Sequence, residues 1–361
     1  MRQYFLCGTA GLILVLSMNT VNACTGVTLK SKDGAVVRGR TMEFAQPMDS
    51  HILVIPRNYE FAGIGPSKKT GLKWKTKFAL AGANFAGQPY VTDGLNEKGL
   101  SGGIFYFPGI TGYQTCGRQQ ESAALAPWQL LTWILTSFAT VEEVKKALPG
   151  IVVYNAVFDN WGSDMPLHYI VTDAAGAGIV IEYIGGKLNI HNNPSGVLTN
   201  APDFQWHLTN LRNYLKMSPQ GVKPISVHSL KISPLGQGSG MLGIPGDYTP
   251  PSRFVRAFFF AAASIQRKNA FETAMQIFHI LNNFDIPWGT VRSAENEVTA
   301  LEHTQWISVC DLKNKFFYYR TENNSRIRVL KLLDCNLDSD KIIKLKMESP
   351  EKAEDITARL K

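Results

Sequence analysis

Cys24-Thr25-Gly26 sits between two stretches of opposite character. Before it, Arg2 is followed by an apolar run that includes Gly11-Leu12-Ile13-Leu14-Val15-Leu16 and ends at Val21-Asn22-Ala23. This is the charged, apolar and small-residue order of a secretory signal, too short and too interrupted for an ordinary membrane span. After it comes a strand. Cutting after Ala23 makes Cys24 the first residue, so that one residue carries a thiol and a free α-amine. Two rivals stand beside this reading: an uncleaved N-terminal anchor, and a lipoprotein signal that would lipidate the Cys24 sulfur. Asn22 is a poor residue before a lipidation site.

The strand belongs to a hairpin. Residues 26–30 and 35–39 flank Asp33-Gly34, a strong two-residue turn signal. With Asp33-Gly34 as the loop, Cys24 lies opposite Glu43 on one face and Arg40 falls on the other. In that register Arg40 reaches Cys24 only if Gly26 or Gly39 hosts a bulge or a sharp twist.

The rest of the chain alternates β-rich and helical stretches. Strand signals occur at 52–56, 78–81, 89–92 and 99–107, with 57–74 reading as an exposed loop and 93–99 as a turn. Helices are expected at 127–138, after the Thr140-x-x-Glu143 capping box, at 251–265 and at 271–284. Strands return at 151–156, 168–172, 178–183 and 187–191, and again at 305–312, 315–320 and 327–330. Residues 336–361 read as a charged, solvated tail or helix. The domain organisation expected is a signal over 1–23, one domain over 24–335 and the tail. The order of elements fits antiparallel sheets covered by helices.

Composition narrows the class. The chain has 361 residues and a formal net charge of +8, but its basic residues are scattered, which does not support nucleic-acid binding. Beyond Cys7 in the leader and Cys24, Cys116, Cys310 and Cys335 are widely spaced and form no zinc pattern. Export permits a disulfide among these three without choosing the pair.

A first-residue cysteine is a nucleophile beside its own base. The α-amine accepts the thiol proton near neutral pH, the thiolate attacks a carbonyl, and the ammonium returns the proton to a leaving amine. Such a site also needs a cation or donor to favour thiolate and donors for the oxyanion.

Five ordered blocks resemble the choloylglycine hydrolase family, the bile salt hydrolases and penicillin V acylases. The first is Cys24-Thr25-Gly26 with Gly39-Arg40-Thr41-Met42-Glu43-Phe44. Then follow Asn96-Glu97-Lys98-Gly99-Leu100 and Phe105-Tyr106-Phe107-Pro108-Gly109. Leu198-Thr199-Asn200 leads into Phe204-x-x-His207-x-x-Asn210. Gly243-Ile244-Pro245-Gly246-Asp247 leads into Pro251-Ser252-Arg253-Phe254. The resemblance spans about residues 24–330.

It implies a four-layer αββα sandwich of the N-terminal-nucleophile hydrolases, an α+β fold, acting on linear C–N amides with no metal or organic cofactor. Cys24 matches the nucleophile and Arg40 the arginine beside the thiol. Glu43 holds the position of an aspartate that binds the N-terminal amine, one methylene longer. Asn200 matches the oxyanion donor and Arg253 the late arginine near the nucleophile. Tyr106 stands where bile salt hydrolases usually carry asparagine and penicillin V acylases often carry tyrosine. His207 reads as structural; Trp128, Trp133 and Trp206 are candidates to face substrate, against the commoner role of core packing. Conjugated bile salts and penicillin V-like acyl amides are the leading substrates, N-acyl homoserine lactones a further option, and a non-catalytic envelope lipoprotein the alternative of another class. A periplasmic location follows from the signal, and the resemblance suggests a homotetramer.

Overall fold

The structure, a computed structural model, describes residues 23–292 and 301–360. The expected signal falls largely on residues 1–22, outside the described residues.

Strands β1 (Cys24–Lys30) and β2 (Val36–Phe44) form the predicted hairpin, but in another register. Cys24 pairs with Met42 and Gly26 with Arg40. The turn is wider than Asp33-Gly34. Ser31 donates from its N–H to the Ala35 carbonyl at 2.9 Å, and the Asp33 carboxylate accepts the Ala35 N–H at 3.3 Å. Gly34 takes φ +82°, as this turn requires. Pairing thus starts at Lys30 and Val36, and the one-residue shift puts Arg40 on the Cys24 face without any bulge between β1 and β2. A register shift does occur at Met42/Glu43, on the other side of β2, against the Leu301–Asp311 strand.

Two antiparallel sheets face each other. In the first, the order is Val197–Leu198, β1, β2, Leu301–Asp311, Phe316–Thr321 and Asn324–Lys331. In the second, it is Lys187–Asn192, Gly178–Ile184, Leu167–Thr172, Ser101–Tyr106, Val91–Asn96, Leu80–Asn84, His51–Ile55 and Ile343–Lys346. Helices Pro250–Ala263 and Ala270–Leu281 cover the outer face of the first sheet, and helix Pro127–Ser137 covers the second. This is the expected αββα order. Among the described residues no helix is long and apolar enough to cross a membrane.

Two glycines set the spacing of these layers. A Cβ on Gly26 would meet the Phe105 ring at 2.8 Å, and one on Gly39 would meet Ile277 at 2.5 Å. Their absence lets the second sheet approach one face of the hairpin and a helix approach the other.

Three segments differ from expectation. Residues 57–74 contain the paired strands Glu60–Ile64 and Thr70–Lys75. Residues 93–96 continue a strand, and only the following residues turn, because Asp93 and Asn96 are buried and bonded from within. Within 336–361, Ile343–Lys346 pairs with His51–Ile55 at the sheet edge and Met347 is buried. Alternation of Ile343 and Leu345 with lysines was the signal for this strand.

Candidate active site

The inward face of the hairpin is unusual in carrying cations. Arg40 is fully buried. Its Nη2 donates to Cys24 Sγ at 2.9 Å, its Nη1 to the Ile104 carbonyl at 2.5 Å, and its Nε to the Thr41 carbonyl at 3.0 Å. The guanidinium lies 4.4 Å from the Phe105 ring centroid and 5.5 Å from that of Trp306. A planar fork held by carbonyls and stacked on aromatics has little freedom, so its charge is fixed at the sulfur.

That charge does not win outright. Burial pushes the Cys24 thiol above its usual value, and the Glu43 carboxylate adds to the push. Arg40, a backbone hydrogen bond from Glu43 and the more distant Arg253 pull it down without cancelling the burial. The resting sulfur is therefore a thiol that requires a base.

Arg253 enters from the Pro250–Ala263 helix and clamps the start of β1. Its Nη1 donates to the Cys24 carbonyl at 2.5 Å and to Thr25 Oγ1 at 2.9 Å, its Nη2 to Asn200 Oδ1 at 2.7 Å, and its Nε to the Tyr248 carbonyl at 2.8 Å. Asn200 Oδ1 also accepts the Cys24 backbone N–H at 2.9 Å, while Nδ2 donates to the Tyr106 carbonyl at 2.7 Å. Asn200 is thus at the thiol-bearing residue, with its amide hydrogens turned to Tyr106.

Glu43 is buried next to Cys24, one position along β2 from the residue that pairs with it. Its Oε1 accepts from Thr304 Oγ1 at 3.1 Å, and the Thr41 hydroxyl bonds the same carboxyl. Oε2 is buried without a hydrogen-bond partner among the described residues. Burial pushes this carboxyl up to about 8, against the pull of Arg253, Thr41 and Arg40 and with a further push from Glu302.

Above Cys24 lies a small apolar pocket of about 40 Å³. Phe44, Phe85, Tyr106, Trp128, Trp161 and Met165 line it. Phe44 stacks on Trp161 with centroids 5.1 Å apart and meets Tyr106 edge-on at 6.4 Å. Of the three tryptophans singled out by sequence, Trp128 lines the pocket, Trp133 packs against Phe138, and Trp206 is 42% exposed at the surface. Trp161, in an irregular stretch without periodicity, was missed.

Behind Asn200 stand two buried histidines. His207 Nε2 bonds the Asn200 carbonyl and His168 Nε2 the Thr199 carbonyl, each at 2.9 Å. His207 stacks on Phe254, and burial pulls its pKa down to about 4, so it braces Asn200 as a neutral ring. Its contacts with Asn200 and Phe254 are those of the packing role expected of it. Among the described residues no His, Cys, Asp and Glu cluster is placed to hold a metal ion, and Cys24, Cys116, Cys310 and Cys335 are free thiols.

The six expected residues therefore converge on one end of the hairpin. A family model described as linear amide C–N hydrolases, choloylglycine hydrolase family, matches residues 24–345. The chain belongs to the choloylglycine hydrolase family. The match begins at Cys24 and takes in every residue of the site. Among choloylglycine hydrolases, a bile salt hydrolase/transferase of Clostridium perfringens is 34% identical over 322 residues, covering 88% of this chain and 95% of the relative. A penicillin V acylase of Pectobacterium atrosepticum is 24% identical over 305 residues, covering 79% and 74%. A crystal structure of a variant conjugated bile acid hydrolase from C. perfringens superposes with TM-score 0.82 at 32% identity, covering 92% of this chain and all of that one. A penicillin V acylase structure from Agrobacterium tumefaciens shares the fold, with TM-score 0.72 at 23% identity, covering 90% and 91%. The protein is an amide hydrolase with the αββα fold of N-terminal-nucleophile enzymes.

Proposed function

We propose that the chain is exported, cut after Ala23, and hydrolyses the C–N amide of conjugated bile salts with Cys24 as N-terminal nucleophile. The observation that carries this reading is Cys24 Sγ on the floor of an apolar pocket, 2.9 Å from the Arg40 guanidinium, at the residue where the family match starts. The freed α-amine takes the thiol proton, a step the burial of Cys24 makes necessary. The thiolate then adds to the amide carbonyl. Asn200 Nδ2, released from the Tyr106 carbonyl, holds the oxyanion together with Tyr106 or a backbone N–H. Collapse expels the amine, protonated by the α-ammonium, and leaves an acyl thioester. Water activated by the restored α-amine hydrolyses it. Arg253 keeps the Cys24 backbone in place throughout.

The apolar, aromatic lining above Cys24 suits a hydrophobic acyl group, and the relatives that are 30% identical or more include two named bile salt hydrolase/transferase and one named conjugated bile acid hydrolase. Tyr106 at the pocket favours a second reading, a penicillin V-like phenoxyacetyl amide, whose ring would meet Phe44, Tyr106 and Trp161. Purified mature protein is given glycocholate and penicillin V in parallel, with Cys24→Ser as control. Release of glycine at the higher kcat/KM is expected, with a loss on the order of 10³-fold or more in the variant. Faster penicillin V cleavage selects the second reading, and release from neither substrate contradicts both.

A further inference from the structure

Glu302 lies at the start of the Leu301–Asp311 strand, where the sequence blocks give it no role. It is 2% exposed. The Ala23 backbone N–H donates to its Oε1, and its Oε2 is buried with no hydrogen-bond partner among the described residues. Close by, Glu43 presents a second buried oxygen without a partner among the described residues, and the two carboxylates repel each other. Arg253 attracts both but already directs its Nε, Nη1 and Nη2 to Tyr248, Cys24, Thr25 and Asn200. Two buried carboxyls with unfilled oxygens therefore meet one committed cation at the chain start. Such an arrangement lacks a positive charge and donors.

Cleavage after Ala23 supplies both. Ala23 N is three covalent bonds from Cys24 N, a separation of about 3.5 Å for extended backbone. Removing Ala23 empties the position at Glu302 Oε1 and turns the Cys24 nitrogen, already bonded to Asn200 Oδ1, into an ammonium with three N–H. Three acceptor groups then surround it: Asn200 Oδ1, Glu43 and Glu302. On the reading that Cys24 is the N-terminal nucleophile, we propose that Glu302 is a positioning residue that exchanges the Ala23 N–H for the Cys24 α-ammonium and, with Glu43, orients it and holds its proton. Glu302 thereby influences the pH at which the amine becomes a free base. Among the described residues, the other charged or titratable groups at this position are Glu43 and Arg40 from β2, Cys24 from β1 and Arg253 from the covering helix.

The test uses the full chain, exported and purified, with intact mass confirming that it begins at Cys24. The acid limb of the kcat/KM profile reports deprotonation of the α-ammonium. Glu302→Gln keeps an oxygen acceptor and removes the carboxylate that favours the ammonium, so the limb should move to lower pH by about one unit. Glu302→Asp withdraws the carboxylate by one methylene and should move it the same way by less. Should the Gln variant not fold, the Asp variant alone decides. A lowered melting temperature with the limb unmoved overturns the proposal and leaves Glu302 a packing residue. A mature chain that does not begin at Cys24 overturns the nucleophile reading along with it, whereas a free Cys24 with an unmoved limb overturns only the role of Glu302.

Discussion

The charged side chains at the site, Arg40, Glu43 and Arg253, are out of water. Among the described residues Arg40 has no carboxylate acceptor; carbonyls, sulfur and aromatic faces take up its fork. Glu43 is the opposite case, an acid whose proton is held by burial while Ala23 is still attached. Its folded value of about 8 exceeds the ordinary value of 4.5, so the native state binds the proton more tightly than the unfolded state. The stability this contributes is fully present below pH 4.5 and is lost as pH rises towards 8, with a ceiling of about 5 kcal/mol. Glu302, pushed up to about 7 by burial, acts in the same direction. Chain produced without cleavage should therefore melt at lower temperature at pH 8 than at pH 5.5. Glu43→Gln should flatten most of that slope, leaving the part due to Glu302. A slope unchanged in the variant would show that the Glu43 proton is not what the uncleaved state retains.

The hairpin turns these residues into a site, and its register decides which of them meet. Cys24, Gly26, Arg40 and Met42 share the inward face because the turn spans Ser31 to Ala35. Gly26 matters for a second reason, the Phe105 ring beneath it, which also supports Arg40. Gly26→Ala should displace that ring, at about 1–3 kcal/mol of stability for an overpacked contact, and lower kcat more than KM because Arg40 moves with it. Unchanged kcat in a folded variant would separate Phe105 from the catalytic geometry. The hairpin was legible in the sequence from its alternation and from Asp33-Gly34, but its register was not. Whether the Ser31 hydroxyl and the Asp33 carboxylate widen a turn depends on side-chain bonding that alternation does not encode. Glu302 and Trp161 were missed for a related reason: each earns its place only when the chain start or Phe44 is brought beside it from far away in sequence. Cys24, Arg40, Asn200 and Arg253 were legible because whole blocks around them resemble a known family.

At the scale of the molecule, the two sheets are joined through polar as well as apolar contacts. Arg38, two residues before Arg40, reaches across to Asp93, to Ser101 Oγ at 3.0 Å and to the Gly102 carbonyl at 2.9 Å, and Ser308 donates to the same aspartate at 2.6 Å. Both charges are fully buried. Asp93→Ala would strand a cation between the sheets, and a loss of about 3–5 kcal/mol in denaturant unfolding is expected, with KM little changed in protein that remains folded. A loss under about 1 kcal/mol would mean that water or another acceptor takes over the guanidinium. The sheets are thereby held in register around a cavity whose floor is the first strand of the domain. The central claim concerns that first strand, namely that its leading residue works as a free N-terminal cysteine. Intact-mass analysis of purified, catalytically active enzyme tests it most directly. The account predicts a chain beginning at Cys24 with an unmodified thiol and amine; active enzyme that retains Ala23, or that carries lipid on Cys24, would contradict it.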